Sequence, residues 1–162
     1  MSDVVEPAEF PIAEVALHVM DRHSPGARAK RIELRAVRPA QALTLRSDLK
    51  FTKEILDNLL SNAIKFSLPD TVVTVRVERR DAWVRIAIED QGPGLNADDK
   101  ARVFGRFTKL SARPTGGEKS TGLGLSIVKH MVDALGGKVW VESEPGAGAR
   151  FILELPGVVP AR

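Results

Sequence analysis

The sequence has no cysteine, little net charge and no long apolar run. Without cysteine in its 162 residues, the chain cannot form disulfides, use thiolate catalysis or bind a metal through sulfur. No apolar stretch is long enough to cross a bilayer, and the acidic start MSDVVEPAEF lacks the apolar core of a signal peptide. We therefore expect a cytoplasmic location and no membrane contact by this segment, while a full-length parent could be membrane-anchored.

The composition indicates one soluble globular domain, with 43% hydrophobic and 28% charged residues. The net charge of +3 is mild for a chain of this length. Basic residues cluster in RAKRIELRAVR, but their alternation with apolar residues favours the solvated face of a strand over a site for nucleic acid or phospholipid. We therefore expect no nucleic-acid partner.

Hydrophobic periodicity predicts two amphipathic helices in the first half of the chain. The first has apolar residues at helical spacing and should end at Ser24-Pro25-Gly26. Its predicted buried residues are Ile12, Val15, Ala16, Val19 and Met20. The second should begin at the N-cap Asp48 and end before Leu68-Pro69.

Alternating apolar residues predict the strands. Two short strands are expected in KRIELRAV and ALTLR, then a hairpin of TVVTVRVERR and DAWVRIAIED, and a final hairpin of KVWVES and ARFILELP. Between the hairpins we expect a short helix capped by Asn96, a mobile polar loop over residues 108–121 and a helix that Gly136 ends. The last helix should bury Leu123, Ile127, Val128, Met131 and Leu135. The order of elements predicts a two-layer α/β sandwich, a sheet with helices on one face.

One face of the second predicted helix carries polar residues. Glu54, Asn58, Asn62 and Lys65 follow at spacings of four, four and three residues, which places them on the same side. Such a face often does nothing more than solvate a helix, but asparagine is a middling helix former, and two of them one turn apart indicate a ligand. An amide oxygen is a suitable ligand for Mg²⁺, and a lysine is a point charge for phosphate.

Two glycine-containing segments are candidate binding loops. Asp90 ends an apolar strand beside the turn Gly92-Pro93-Gly94, where its carboxylate could accept a hydrogen bond from an exocyclic amine such as N6 of adenine; a plain turn is the alternative. Gly122-Leu123-Gly124 opens a helix, whose exposed N–H groups and dipole form an anion site. The surrounding residues match neither a Walker A motif nor a dinucleotide-binding fingerprint.

Four segments in order resemble the N, G1, F and G2 boxes of the ATP-binding catalytic (HATPase) domain of bacterial sensor histidine kinases: NLLSNAIKFS, DQGPGL, VFGRF and STGLGLSIV. That domain belongs to the gyrase, chaperone, histidine-kinase and MutL ATPase superfamily. The resemblance spans residues 10–156, between tails at 1–9 and 157–162. It implies the Bergerat ATP-binding fold, of class α+β, with a mixed, mostly antiparallel sheet and three main helices on one face.

The resemblance also implies the cofactors ATP and Mg²⁺ and a role for each matched residue. Asn62 would bind the Mg²⁺ that bridges the phosphates, Asn58 would support that ion and Lys65 would contact phosphate, which makes these three the expected catalytic residues. Asp90 would read the adenine amine. The remaining expected nucleotide-binding residues are Gly92, Gly94, Phe107, Lys109, Thr121, Gly122, Leu123, Gly124 and Leu125. Phe104 and Phe107 would anchor an ATP lid at residues 108–121, and the candidates for a γ-phosphate contact are Arg106, Lys109 and Arg113.

Position 58 distinguishes among the relatives. Gyrase-type ATPases and anti-sigma serine kinases have a glutamate there that activates water or a hydroxyl, and Asn58 cannot act as that base. A neutral histidine acceptor is already nucleophilic and needs no such base. Where Ala149 stands, the family usually has threonine, so we expect one pocket hydrogen bond fewer.

The chain's own histidines do not resemble the family's phosphoacceptor. His18, His23 and His130 are each followed by a residue other than glutamate or aspartate. The resemblance therefore implies transfer of the γ-phosphoryl group to a histidine on a separate dimerisation domain, with a response regulator receiver domain as a further partner. We expect this chain to be monomeric in isolation. The alternatives are a stand-alone anti-sigma-type serine kinase and a nucleotide-sensing module without catalysis.

Overall fold

A computed structural model of the chain describes residues 4–104 and 124–160. The elements in chain order are β1 (Pro7–Pro11), α1 (Ile12–Ala29), β2 (Glu33–Val37), β3 (Thr44–Asp48), α2 (Leu49–Phe66), β4 (Val72–Arg80), β5 (Trp83–Glu89), α3 (Ala97–Arg102), α4 (Gly124–Ala134), β6 (Lys138–Ser143) and β7 (Ala149–Pro156). Among these residues, no helix combines the length and the apolar character needed to span a bilayer.

The main sheet has five strands in the order β2-β4-β5-β7-β6. β2 runs parallel to β4, whereas the pairs β4–β5, β5–β7 and β7–β6 are antiparallel. β1 and β3 form a separate two-stranded antiparallel sheet. The predicted α+β class, with a mixed and mostly antiparallel sheet, is therefore confirmed.

The core lies between the sheet and the helices α1, α2 and α4. In β4 and β5, alternate residues on one face are buried while most of their neighbours are partly exposed, Ala87 being the buried exception, as expected for a sheet covered on one side. The apolar faces of the three helices join these residues in one cluster. The buried residues of the two strands on this face are Val73, Val75, Val77, Val84, Ile86 and Ile88.

Helix α1 is longer than predicted. All five of its predicted core residues are buried, but the helix continues through Pro25 and ends at Ala29 instead of stopping at Ser24. Pro25 and Gly26 lie on the exposed side, so the carbonyl that the proline leaves without a helical partner can bond to water. Ala27 is only 1% exposed, and its burial keeps the last turn on the core.

Helix α2 begins at the predicted cap. The Asp48 carboxylate accepts a hydrogen bond from the Phe51 amide at 2.9 Å through Oδ1, and its Oδ2 accepts one from the Glu6 amide at 2.9 Å. The Asp48 side chain therefore both caps α2 and binds Glu6, the residue before β1. β1 begins at Pro7, so residues 7–9, predicted as part of a tail, belong to a sheet.

The other predicted tail also begins later than residue 157. The Arg46 amide donates to the Gly157 carbonyl at 2.7 Å, and Val158 is buried and bridges to Leu45. Residues 157 and 158 therefore pack against β3.

In α4 the predicted apolar stripe is right in part. Val128 and Met131 are fully buried, and Gly136 has the positive φ of 72° expected after a helix end. Leu125 and Val132 are buried as well, although neither was predicted, because α4 packs against both α2 and β6 and so buries a wider face. Leu123 lies outside the described residues.

Candidate functional site

An open cavity lies between the C-terminal half of α2, the end of β5 and the start of β7, with about 310 Å³ of free space that is partly continuous with solvent. It brings together three residues that were predicted separately: Asn62 from α2, Asp90 from the end of β5 and Gly94 from the turn that follows. Most of its wall is apolar, as is usual for a site that binds a flat heterocycle. The lining residues are Asn62, Phe66, Asp90, Pro93, Gly94, Leu95, Ala149 and Phe151.

Asp90 is a buried carboxylate with one oxygen committed to the backbone. Its Oδ1 accepts hydrogen bonds from the amides of Gly92 at 2.9 Å and Ala149 at 3.1 Å. Burial raises the pKa of Asp90, and these two hydrogen bonds offset part of the rise. The side chain is 8% exposed, and Oδ2 remains as an acceptor for a donor inside the cavity.

Glycines bring the loops around Asp90 into backbone contact. A Cβ at Gly92 would lie 2.2 Å from the Phe66 carbonyl oxygen, and one at Gly94 would lie 2.2 Å from the Glu144 carbonyl oxygen. A Cβ at Gly148 would lie 2.2 Å from the carbonyl oxygen of Asp90 itself. Side chains at these positions would push apart the segments that form the cavity.

Hydrogen bonds brace the same loops. The Gly146 amide donates to the Pro93 carbonyl at 2.6 Å, and the Leu95 amide donates to Ser143 Oγ at 2.8 Å. Ser143 Oγ donates in turn to the Gly148 carbonyl at 2.6 Å. The turn between β6 and β7 thus supports the loop that follows β5.

The polar stripe of α2 lies on one half-buried face, as the spacing predicts. Asn62 reaches the cavity, whereas Asn58 and Lys65 do not line it. The amide nitrogen of Asn58 donates to the Glu54 carbonyl at 2.8 Å, so its Oδ1 is the atom left to accept from or coordinate a ligand.

Part of the predicted site falls on residues 105–123, outside the described residues. Phe107, Lys109, Thr121, Gly122 and Leu123 belong to this part, together with Arg106, Arg113 and the predicted lid. Gly124 is the first residue of α4, as predicted for a glycine at a helix start. Leu125 is 9% exposed and packs in the core, and it does not line the cavity.

Phe104 is the last described residue before that gap. Its ring meets the ring of Phe151 edge to face, with centroids 6.2 Å apart. Because Phe151 lines the cavity, Phe104 packs against a residue of the cavity wall.

The motifs did not identify several wall residues. Phe66 and Phe151 were not among the predicted site residues, nor were Pro93 and Leu95, although both lie within DQGPGL. Ala149 was noted as a departure from the family and stands in the wall beside Asp90. For Phe66, the signal in the sequence is its position four residues after Asn62, which places both on one helical face.

Comparison with known protein families identifies this arrangement. Residues 47–158 match the family described as histidine kinase-, DNA gyrase B- and HSP90-like ATPase. The chain belongs to this ATPase family. The match runs from the start of α2 to the end of β7, so it includes every described element that contributes to the cavity.

Relatives of this ATPase domain include sensor kinases. The chain is 37% identical over 150 residues to the sensor-like histidine kinase SenX3 of Mycobacterium tuberculosis, covering 91% of this chain and 36% of the relative. It superposes on full-length ShkA in complex with AMPPNP with a TM-score of 0.84, at 33% identity, covering 97% of this chain and 32% of that one. It also superposes on the histidine kinase ThkA in complex with the response regulator protein TrrA, with a TM-score of 0.80 at 26% identity, covering 95% and 42%. The chain therefore spans about a third of the length of the first of these relatives.

The described residues suit a magnesium ion that a nucleotide brings with it. Among residues 4–104 and 124–160, no three histidine, aspartate or glutamate side chains cluster as a metal site. Asn62 offers an amide oxygen at the cavity wall, and the amide of Asn58 lies one helical turn before it on α2. Mg²⁺ is often held by few protein ligands together with substrate phosphates and water, and this donor set fits such a site.

Proposed function

We propose that this ATPase domain binds Mg·ATP and transfers its γ-phosphoryl group to a histidine on a separate dimerisation domain. The observation that carries the proposal is the shared cavity, which both the side chain of Asn62 and the buried carboxylate of Asp90 line. The similarity to SenX3 and ThkA, which are histidine kinases, and to ShkA, which is in complex with AMPPNP, supports the same assignment. A receiver domain is the proposed further partner, since ThkA is in complex with a response regulator.

The proposed site would bind adenine at one end of the cavity and the phosphates with Mg²⁺ at the other. Asp90 Oδ2 would accept a hydrogen bond from the adenine amine, while the apolar wall excludes water from the ring. Asn62 and Asn58 would offer amide oxygens to Mg²⁺, which neutralises charge on the phosphates when bound, and Lys65 would add a cation. The domain would act by positioning and charge stabilisation, since phosphoryl transfer asks little covalent chemistry of the protein.

The acceptor histidine is proposed to be supplied by another domain. Among the described histidines, His23 contacts Asp57 at 2.6 Å between α1 and α2, and neither it nor His18 nor His130 lines the cavity. At position 58, an amide that donates to the helix backbone replaces the glutamate that could activate water or a hydroxyl. This observation favours a histidine acceptor over the serine of an anti-sigma partner.

Phosphoryl transfer can be tested directly by mixing the domain with a purified histidine dimerisation domain and γ-labelled ATP. We expect label on the acceptor that is lost in acid and retained in alkali, as for phosphohistidine. Acid-stable label on a protein would indicate a serine kinase instead. Nucleotide binding without label on a cognate acceptor would indicate a nucleotide-sensing module.

Replacing Asn62 should weaken binding at the phosphate and metal end of the proposed site without affecting the adenine end. We expect Asn62→Ala to weaken Mg·ATP binding at least roughly tenfold and to leave adenosine binding unchanged, because adenosine carries no phosphate for Mg²⁺ to bridge. Titration calorimetry with both ligands, with and without Mg²⁺, measures the effect.

The matched control is Ser61→Ala, which alters the neighbouring residue of α2 outside the cavity lining. It should bind both ligands as the unsubstituted protein does. Equal weakening of adenosine and Mg·ATP by Asn62→Ala would contradict its assignment to the metal end.

A further inference from the structure

Lys30 holds the C-terminal end of helix α2 from outside the cavity. It follows α1, and its Nζ donates to the Ile64 carbonyl at 2.9 Å and to the Lys65 carbonyl at 2.8 Å. These carbonyls lie in the last turn of α2, where backbone acceptors lack helical partners and the helix dipole is negative. A half-buried ammonium group therefore satisfies two of them and neutralises charge at that end.

The corner that carries Lys30 is itself fixed. Arg31, with φ of 58°, donates to both carboxylate oxygens of Asp70 at 2.9 and 3.2 Å, and its carbonyl accepts from the Asp70 amide at 2.9 Å. The Glu33 amide donates to the Thr71 carbonyl at 3.0 Å. The segment after α1 is thus joined to the segment after α2, which leaves Lys30 little freedom to move away from the helix end.

The turn that Lys30 holds is the one that reaches the cavity. Asn62 and Phe66 line the cavity from this part of α2, and Lys65 lies between them in sequence. Gly92 approaches the Phe66 carbonyl of the same turn so closely that a Cβ would lie 2.2 Å from the oxygen. The last turn of α2 therefore contacts both Lys30 and the loop that contains Asp90.

We propose that Lys30 is a positioning residue for the phosphate and metal end of the nucleotide site. This inference rests on the proposed binding of Mg·ATP. With Lys30 in place, the last turn of α2 holds Asn62 and Lys65 in position. The carbonyls that accept from Lys30 then repel the negative phosphates less than unpaired carbonyls would. Adenine recognition, which depends on Asp90 at the end of β5, does not depend on Lys30.

The test compares Lys30→Met, which keeps the length of the side chain and removes the ammonium group, with Lys30→Arg, which retains donors and charge. We expect Lys30→Met to weaken Mg·ATP binding roughly tenfold and to change adenosine binding by less than about twofold. Lys30→Arg should restore most of the Mg·ATP affinity. The matched control is Lys50→Met, the same change at an exposed lysine in the first turn of α2, which should alter neither affinity.

Measured binding, with the denaturation midpoint of each variant, separates the possible outcomes. Equal weakening of Mg·ATP and adenosine by Lys30→Met, or unchanged Mg·ATP binding in a folded variant, would overturn the proposal. Failure of Lys30→Arg to recover Mg·ATP binding while folded would also overturn it. If the unsubstituted domain binds Mg·ATP but labels no acceptor, the proposed transfer fails while the role of Lys30 is still decided by these affinities.

Discussion

Asp90→Asn should reverse the base preference of the domain without unfolding it. The asparagine Oδ1 can still accept from the amides of Gly92 and Ala149, so the local backbone contacts are kept. In the position of Oδ2, however, an NH₂ group would face the adenine amine, and two donors cannot pair. We expect ATP affinity to fall roughly a hundredfold and the affinity for ITP, which carries an acceptor oxygen at position 6, to rise above it.

The stability of Asp90→Asn should be equal to or greater than that of the unsubstituted domain at neutral pH. Because burial raises the pKa of Asp90, the folded protein holds this proton more tightly than the unfolded chain does. The ionised carboxylate thus lowers stability as pH rises through its folded pKa, and the cost is absent below the ordinary pKa of 3.8. The advantage of the variant should therefore be absent at about pH 3 and develop as pH increases toward neutrality.

Calorimetric titration with ATP and ITP, paired with urea unfolding at several pH values, measures both effects. Asp21→Asn, at an exposed position of α1, is the control and should leave affinities and stability as they were. A variant that still prefers ATP to ITP would show that Asp90 does not read the amine.

Gly148→Ala should cost far more stability than Gly146→Ala, although both glycines lie in one turn and have similar φ, 77° and 81°. Alanine at either position is strained by the left-handed backbone, which costs about 1 kcal/mol. At Gly146 a Cβ would meet nothing within 4 Å, whereas at Gly148 it would lie 2.2 Å from the Asp90 carbonyl oxygen. The Gly148 variant should lose about 3 kcal/mol or more in its free energy of unfolding.

The loss at Gly148 should extend to ligand binding. Relief of the contact requires the end of β5 to move away from the start of β7, which separates Asp90 from the Ala149 amide. Adenosine binding should weaken in Gly148→Ala and remain intact in Gly146→Ala. Equal losses of stability in the two variants would refute the close approach of the backbones at position 148.

Local sequence signals predicted the parts of the fold that form within a few neighbouring residues. Asp48 caps α2 as expected, and β4 and β5 form the predicted hairpin, which turns at Asp81 and Ala82 between the paired Arg80 and Trp83. The predicted end of α1 was wrong because the rule that proline breaks a helix considers only the backbone near Pro25. Burial of Ala27 and an exposed proline outweigh that rule here.

Features that depend on distant partners were not available from the sequence. β1, PAEFP, has proline at both ends and pairs with β3, more than thirty residues away, so no local pattern marks it as a strand. The wall residue Phe151 has the pattern of an ordinary strand position until β7 is placed beside β5. Lys30 has no signal either, because its partners are the backbone carbonyls of a helix that ends 36 residues later.

The pairing of Asp90 with Ala149 also has a consequence for how the domain folds. The two residues are 59 positions apart in the chain, whereas the β4–β5 and β6–β7 hairpins close over a few residues each. Contacts between residues so far apart in sequence lose loop-closure entropy before the contact energy can offset the loss, so they tend to form late in folding. We expect the proposed adenine pocket to be completed only when the two hairpins dock, and a chain arrested before that step should have secondary structure but no affinity for nucleotide.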